Sequence, residues 1–524
     1  MVITSIRFLE FCLCSVALFL IFPPKHRWMS LLISSIRFYL ISSGKLVCFI
    51  LLTSVTTWYA ARMLEQIAEK GKEALNAPDI SKEEKKELRR QTAKKRRTVV
   101  NAALAVNIGL LILFKVFKYF TAAFTYLRGL FTGGRTGDAI RVVVPLGISY
   151  YTFSTVGYLL DVYWKRYSCE DNFLRYLTFA IYYPHIIQGP ISRYNLLGVE
   201  LKKPELRLKW NNVIVGLESI LLGMFKKLVI ADRAAIFVTA TLKRKDLGGM
   251  VYIIAMMLDA IQIYADFSGY MDIVRGISKI FDVELEQNFN HPFLSKSVPE
   301  FWRRWHMSLG SWFRDYVYYP ITLSKPVKKL NQRALKVESV HLKKLLSIVV
   351  PVYVTWLLTG LWHGTGKGYV AWGIYYGTII CFSTLFSEDI RKMQQKLGIR
   401  TEVFSYRVFQ TLKIFCIFMG GRFLGTSMGM KHRIEIIKRI LFKFMDFSIF
   451  TYGLDRANFL IILFGVLLLI RIAVIETKEN IFDWFNRQNY LFCAVVLYIL
   501  IFSVFLLGIY GTAYSTAGFM YRQY

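Results

Sequence analysis

The residue with the most chemical consequence is His363, in the run TWLLTGLWHGTG from Thr355 to Gly366. The run is strongly apolar and reads as a segment at membrane depth. An ionisable side chain is costly there, so such residues usually line a cavity or a reaction path. Gly360, Gly364 and Gly366 flank it, and glycine lets a substrate approach the chain closely. A neutral imidazole takes a proton from a hydroxyl near neutral pH. The composition equally allows a histidine that only bonds a neighbouring helix carbonyl. A second histidine, His306, ends the basic-aromatic run FWRRWH (Phe301 to His306). Two histidines beside membrane-depth segments point to an enzyme that works inside the membrane.

Around His306 the composition is unusual. Pro299 to Pro320 holds three Trp, three Tyr, two Phe, three Arg, one His and one Asp. Aromatic rings beside arginine suit a membrane interface. They also suit a tunnel mouth that holds a polar or anionic substrate by stacking and forked hydrogen bonds. Composition leaves both open. Two further runs break apolar segments with Pro and Gly: PLGISYYTFS (Pro145 to Ser154) and YYPHIIQGPISRY (Tyr182 to Tyr194).

Helices must position these residues. The chain has 524 residues, is 55% hydrophobic and 16% aromatic, and its mean hydropathy is +0.39. That excludes an ordinary soluble protein and fits a polytopic membrane protein. Apolar segments fall near residues 8–22, 30–42, 45–60, 98–119, 140–161, 174–188, 212–240, 250–280, 344–362, 367–387, 404–420, 457–475 and 489–511. Several are short or interrupted, so the expectation is 10 to 13 spanning or re-entrant helices. The first run is followed by Pro23-Pro24-Lys25-His26-Arg27 rather than a small-residue cleavage site, and reads as a first membrane helix. The formal charge of +32 sits mainly in short loops. This is the positive-inside pattern with lipid as the partner, not a nucleic-acid surface. Arg62 to Arg97 mixes both signs, with Glu/Lys pairs at helical spacing, and predicts a cytosolic helical hairpin or linker. The seven cysteines show no framework spacing and read as small apolar residues; no metal site is visible. No internal repeat appears, which counts against many transporter folds. The expected divisions are N-terminal helices over 1–60, a charged linker over 61–98, a catalytic core over 99–420 and C-terminal helices with a tail over 421–524.

Together these runs resemble a known family. PLGISYYTF, YYPHIIQGPI, FSGYMDI, NFNHPF, EFWRRWHMSLGSWFRDY and GLWHG occur in the order found in membrane-bound O-acyltransferases of the alginate O-acetyltransferase type. The resemblance is strongest from Pro145 to His363. It implies an all-α polytopic fold, a ring of helices around a central tunnel. It implies that His363 is the principal catalytic histidine and that His306 orients the acceptor or shuttles protons. Trp302, Arg303, Arg304 and Trp305 would shape the tunnel wall, with Asn290 and Trp362 also binding substrate. His185 departs from the family pattern and is given no catalytic role. The ending AGFMYRQY (Ala517 to Tyr524) is similar to family endings in which a tyrosine precedes an aromatic residue, although Arg522 departs from it. It makes Tyr521 a candidate transient acyl carrier.

The expected activity is transfer of an acyl group, most simply acetyl, across a bacterial cytoplasmic membrane. The donor would be acetyl-CoA or another cytosolic acyl thioester, with no bound cofactor and no metal. The acceptor would be a hydroxyl of an extracytoplasmic or cell-wall polysaccharide. The resemblance also implies an extracytoplasmic acyl-transfer partner of the hydrolase-like class. The alternatives are a teichoic acid D-alanyl transferase using a carrier-protein thioester, and a lipid or polysaccharide transporter without covalent chemistry.

Overall fold

The structure, a computed structural model, describes residues 3–78, 80–131, 144–364, 366–426, 428–445 and 449–510, with the backbone alone over 117–131. It is built of helices. Among the described residues the one strand-like pairing is an isolated bridge between Phe289 and Trp305. Two compact units divide the chain. One comprises Met1–Asn212 with Ser278–Glu286, the other Val213–Ile277 with Gln287–Tyr524.

In the first unit the charged stretch forms the expected helical hairpin, from helices Val47–Leu75 and Lys82–Phe131. The second arm starts where Ser81 and Glu84 cap each other. The Glu84 amide donates to Ser81 Oγ at 3.2 Å, and the Ser81 amide to Glu84 Oε2 at 2.9 Å. This reciprocal cap satisfies two amides that the first helical turn leaves open. Helix Ile148–Tyr163 buries fourteen of its sixteen residues. Beyond helix Phe173–Ile181, the chain from Tyr182 to Ser192 is buried without interruption yet has no regular helix. Irregular backbone at membrane depth is tolerated when protein surrounds it. His185 lies in this segment, 1% exposed, with its ring 5.8 Å from that of Tyr182.

The second unit holds the two histidines of interest. Helices Val340–His363, Lys367–Leu385 and Phe404–Gly425 pack against one another through glycines facing aromatic rings. A Cβ on Gly373 would lie 2.7 Å from the Trp356 carbonyl, and one on Gly421 would overlap the Tyr376 hydroxyl. Small residues at such crossings let backbones approach where no hydrophobic force joins helices in lipid. Helices Arg456–Glu476 and Tyr490–Leu507 leave Leu460, Phe464, Leu467, Phe502 and Phe505 exposed, as lipid-facing helices do.

Among the described residues seven helices are long and apolar enough to cross a membrane. There are eight if the pair Lys367–Leu385 and Ser387–Lys396, bent by 57°, counts as one span. This makes a multi-pass membrane protein. The apolar run near 174–188 gives only the nine-residue helix Phe173–Ile181, against about 20 residues for a bilayer, whereas the run near 212–240 forms one helical stretch of Trp210–Met224, Phe225–Ala231 and Asp232–Leu242 with a π-helical middle.

Candidate active site

His363 is the last residue of its 24-residue helix, which begins at a Ser339 cap. Its Nδ1 lies 2.8 Å from the carbonyl oxygen of Thr359, one turn back. A carbonyl only accepts, so Nδ1 carries the proton and Nε2 is the basic nitrogen of the neutral ring. Beyond it the chain turns extended at Gly364 (φ 170°, ψ 161°). The ring sits among aromatics: centroids are 4.7 Å from Trp362, 4.9 Å from Trp372 and 6.5 Å from Tyr369, the last pair stacked.

His306 is held differently. Its backbone is left-handed (φ 46°), a region uncommon for a side chain larger than glycine's. The flanking chain fixes it there. Trp305 pairs with Phe289, the Asn290 amide donates to the Arg304 carbonyl, and the Met307 amide donates to the Asn288 carbonyl, both at 3.0 Å. Asn288 completes the clamp: its Oδ1 accepts from the Ser308 amide at 2.9 Å and lies 3.4 Å from His306 Nδ1. His306 is 2% exposed. Burial, and then the nearby His363, hold its pKa well below the usual histidine value, so the ring is neutral. Trp362 stands between the two histidines, its ring 6.0 Å from His306 and 4.7 Å from His363.

A cleft opens beside His363, lined by Ile263, Trp302, Trp305, Tyr369, Trp372, Phe418, Arg422 and Gly425. It is tight. The space open to water-sized groups is about 20 Å³, room for little more than one solvent molecule. An acyl group enters only if a ring moves. Apolar walls around one basic imidazole suit proton transfer from a hydroxyl with water excluded.

Residues 170–335 match the family model for MBOAT, the membrane-bound O-acyltransferase family. This match covers 166 of the 524 residues. The matched segment includes His306 and ends before His363. Among similar proteins, a probable alginate O-acetylase of Pseudomonas syringae pv. tomato is 28% identical over 319 residues, covering 61% of this chain and 55% of the relative. A peptidoglycan O-acetyltransferase of Helicobacter pylori is 28% identical over 318 residues (55% and 56%). A teichoic acid D-alanyltransferase of Bacillus subtilis is 28% identical over 252 residues (47% and 60%). The chain spans little more than half the length of these relatives.

The expected site residues divide. Trp302, Trp305 and His363 share the cleft, and Trp362 bridges the histidines. Arg303 and Arg304 are not cleft residues. Helix Val298–Arg304 turns Phe301, Trp302 and Trp305 inward. Arg303 is exposed, and Arg304 pairs with Glu300 one turn back at 2.7 Å. Asn290 has an exposed side chain, while Asn288, two residues earlier, holds His306. Tyr521 lies outside the described residues. Among those residues no group of three His, Cys, Asp or Glu is placed to hold a metal.

Sequence reasoning missed Arg422 and its partner Asp259. The signal was present: each is an ionisable residue in an apolar helix, the same argument that singled out His363. The apolar segment near 404–420 was drawn two residues short of Arg422.

Replacing Asn288 tests the clamp. In Asn288→Ala the Ser308 amide and His306 Nδ1 lose their shared acceptor. An unsatisfied buried donor costs about 1–3 kcal/mol. Thermal unfolding in detergent should show the melting temperature fall by several degrees; an unchanged melting temperature would remove Asn288 from this role.

Proposed function

We propose that this protein transfers an acyl group, acetyl in the simplest case, from a cytosolic thioester such as acetyl-CoA to a hydroxyl of an extracytoplasmic or cell-wall polysaccharide. We place it in the cytoplasmic membrane of a bacterium. The observation that carries this reading is His363, with Nδ1 committed to a carbonyl and its ring in an apolar cleft. Nε2 takes the proton of the acceptor hydroxyl as its oxygen attacks the thioester carbon. The C–O bond forms, the C–S bond breaks, and the departing thiolate recovers the proton from the imidazolium. His306, neutral and clamped across Trp362, orients the acceptor. The relatives support the reaction class: their names describe O-acetylation of alginate and peptidoglycan and D-alanylation of teichoic acid.

In this reading Tyr521 is the first acceptor, a phenol that carries the acyl group until an extracytoplasmic partner of the hydrolase-like class passes it to the polysaccharide. The test uses purified protein with isotope-labelled acetyl-CoA, followed by peptide mapping. Consumption of the thioester with label on Tyr521 supports the whole scheme. Consumption with label only on added polysaccharide keeps the transferase and removes the relay.

The similarity to a D-alanyltransferase favours one rival donor, a carrier-protein thioester. Intact acetyl-CoA beside a consumed D-alanyl carrier protein would establish it. If neither donor is consumed, even with the extracytoplasmic partner supplied, the transporter reading is favoured.

A further inference from the structure

The cleft beside His363 contains a charge that nothing in its assumed chemistry uses. Arg422, on helix Phe404–Gly425, lines the same cleft as His363. Its Nε and Nη2 each lie 3.0 Å from a carboxylate oxygen of Asp259, which stands on helix Gly249–Ile280. Both side chains are buried, 13% and 7% exposed, and both helices are membrane-crossing candidates. Desolvating such a pair is costly, and a well-packed apolar pair often holds two helices as well or better. A two-point Arg–carboxylate bond does what an apolar pair cannot: it fixes the plane of the guanidinium.

A second observation concerns the opposite wall. Trp302 lines the cleft, and its indole N–H is buried without a hydrogen-bond acceptor. An unmet buried donor is costly unless something supplies an acceptor. The cleft thus has a basic nitrogen, an oriented guanidinium and an unsatisfied N–H donor within one apolar enclosure. In acyl transfer the group that gains charge is the carbonyl oxygen. As the acceptor oxygen bonds to the thioester carbon, the carbonyl π pair moves onto that oxygen while His363 takes the hydroxyl proton. Collapse restores the C=O bond and expels thiolate, which takes the proton back. Donors preset at such an oxygen are among the largest contributions to catalysis.

We propose that Arg422 is the catalytic hydrogen-bond donor to this developing oxyanion, that Trp302 Nε1 assists it, and that Asp259 is the positioning residue that holds the guanidinium in place. The inference rests on the acyl-transfer reading above. It adds an anion-stabilising function to an arginine beyond the WRRWH run.

The experiment compares steady-state transfer from acetyl-CoA by wild type, Arg422→Lys, Asp259→Asn and the double variant Asp259→Leu/Arg422→Met, each with a detergent melting curve. Turnover by wild type, from acetyl-CoA or from a D-alanyl carrier protein, establishes the reaction and the donor used for the variants first; a wild type silent with both overturns the function and not merely this residue. Arg422→Lys keeps the charge and loses the fork. We expect kcat to fall by about 10²–10³-fold, the usual loss of an oxyanion donor, with KM moving less than about threefold. Asp259→Asn should lower kcat less. The double variant removes both charges together and should melt close to wild type while losing kcat as Arg422→Lys does. If the double variant folds and turns over within about threefold of wild type, the pair is only a helix clamp. If Arg422→Lys raises KM and spares kcat, the arginine binds ground-state substrate and the proposal is wrong. Should the double variant not fold, the kcat and KM of Arg422→Lys decide alone.

Discussion

His363→Ala should lower acyl transfer by at least about 10³-fold while leaving the protein folded, since a positioned general base is worth about 10²–10⁴. The expectation of a folded variant comes from where the side chain sits. The histidine ends its helix, so its removal interrupts no interior turn, and the Nδ1 bond to Thr359 is local. The cavity it leaves adjoins a cleft that already exists. Label transfer from acetyl-CoA and a melting curve check the two halves. Transfer within tenfold of wild type would mean that some other group takes the proton. His306→Ala should cost less, because Trp362 stands between it and His363 and its own Nδ1 faces Asn288. If the two histidines act as a unit, the double variant will be no worse than His363→Ala alone.

Much of this was legible before any coordinates. The all-helical class followed from apolar runs of membrane length. The hairpin of Val47–Leu75 and Lys82–Phe131 followed from charge spacing. His363 stood out as an ionisable residue among apolar ones. What the sequence hid was long-range. Nothing local distinguishes Asn288 from Asn290; the antiparallel bridge at Phe289 and Trp305 decides which of them faces His306. The pair Arg422 and Asp259 is 163 residues apart in the chain, and only helix packing brings it to the cleft. The resemblance puts Arg303 and Arg304 on the tunnel wall with Trp302, but on helix Val298–Arg304 the first is exposed and the second pairs with Glu300. Which apolar segments span and which are re-entrant is a related question. A short helix buried by protein and a span facing lipid are equally apolar, and length alone separates them.

The largest structural effect is expected one turn before His363. A Cβ at Gly360 would overlap the carbonyl oxygen of Tyr369, which belongs to the backbone of helix Lys367–Leu385 and cannot swing aside. Gly373 on that helix meets the Trp356 carbonyl in the same manner at 2.7 Å. The two helices therefore touch backbone to backbone, and this contact sets where His363 stands relative to Trp372. Gly360→Leu must push the helices apart, at a cost of about 3 kcal/mol or more. It must also displace the imidazole, and a shift of about 1 Å is worth about 10²-fold in rate. Stability and turnover should fall together in this variant, whereas His363→Ala loses turnover alone. Gly366→Ala is the control: the nearest atom to its Cβ is a Tyr369 ring carbon at 3.9 Å, an ordinary contact. That variant should melt and turn over as wild type does. Should Gly360→Leu melt like wild type and retain its turnover, the close crossing would not be what positions the base.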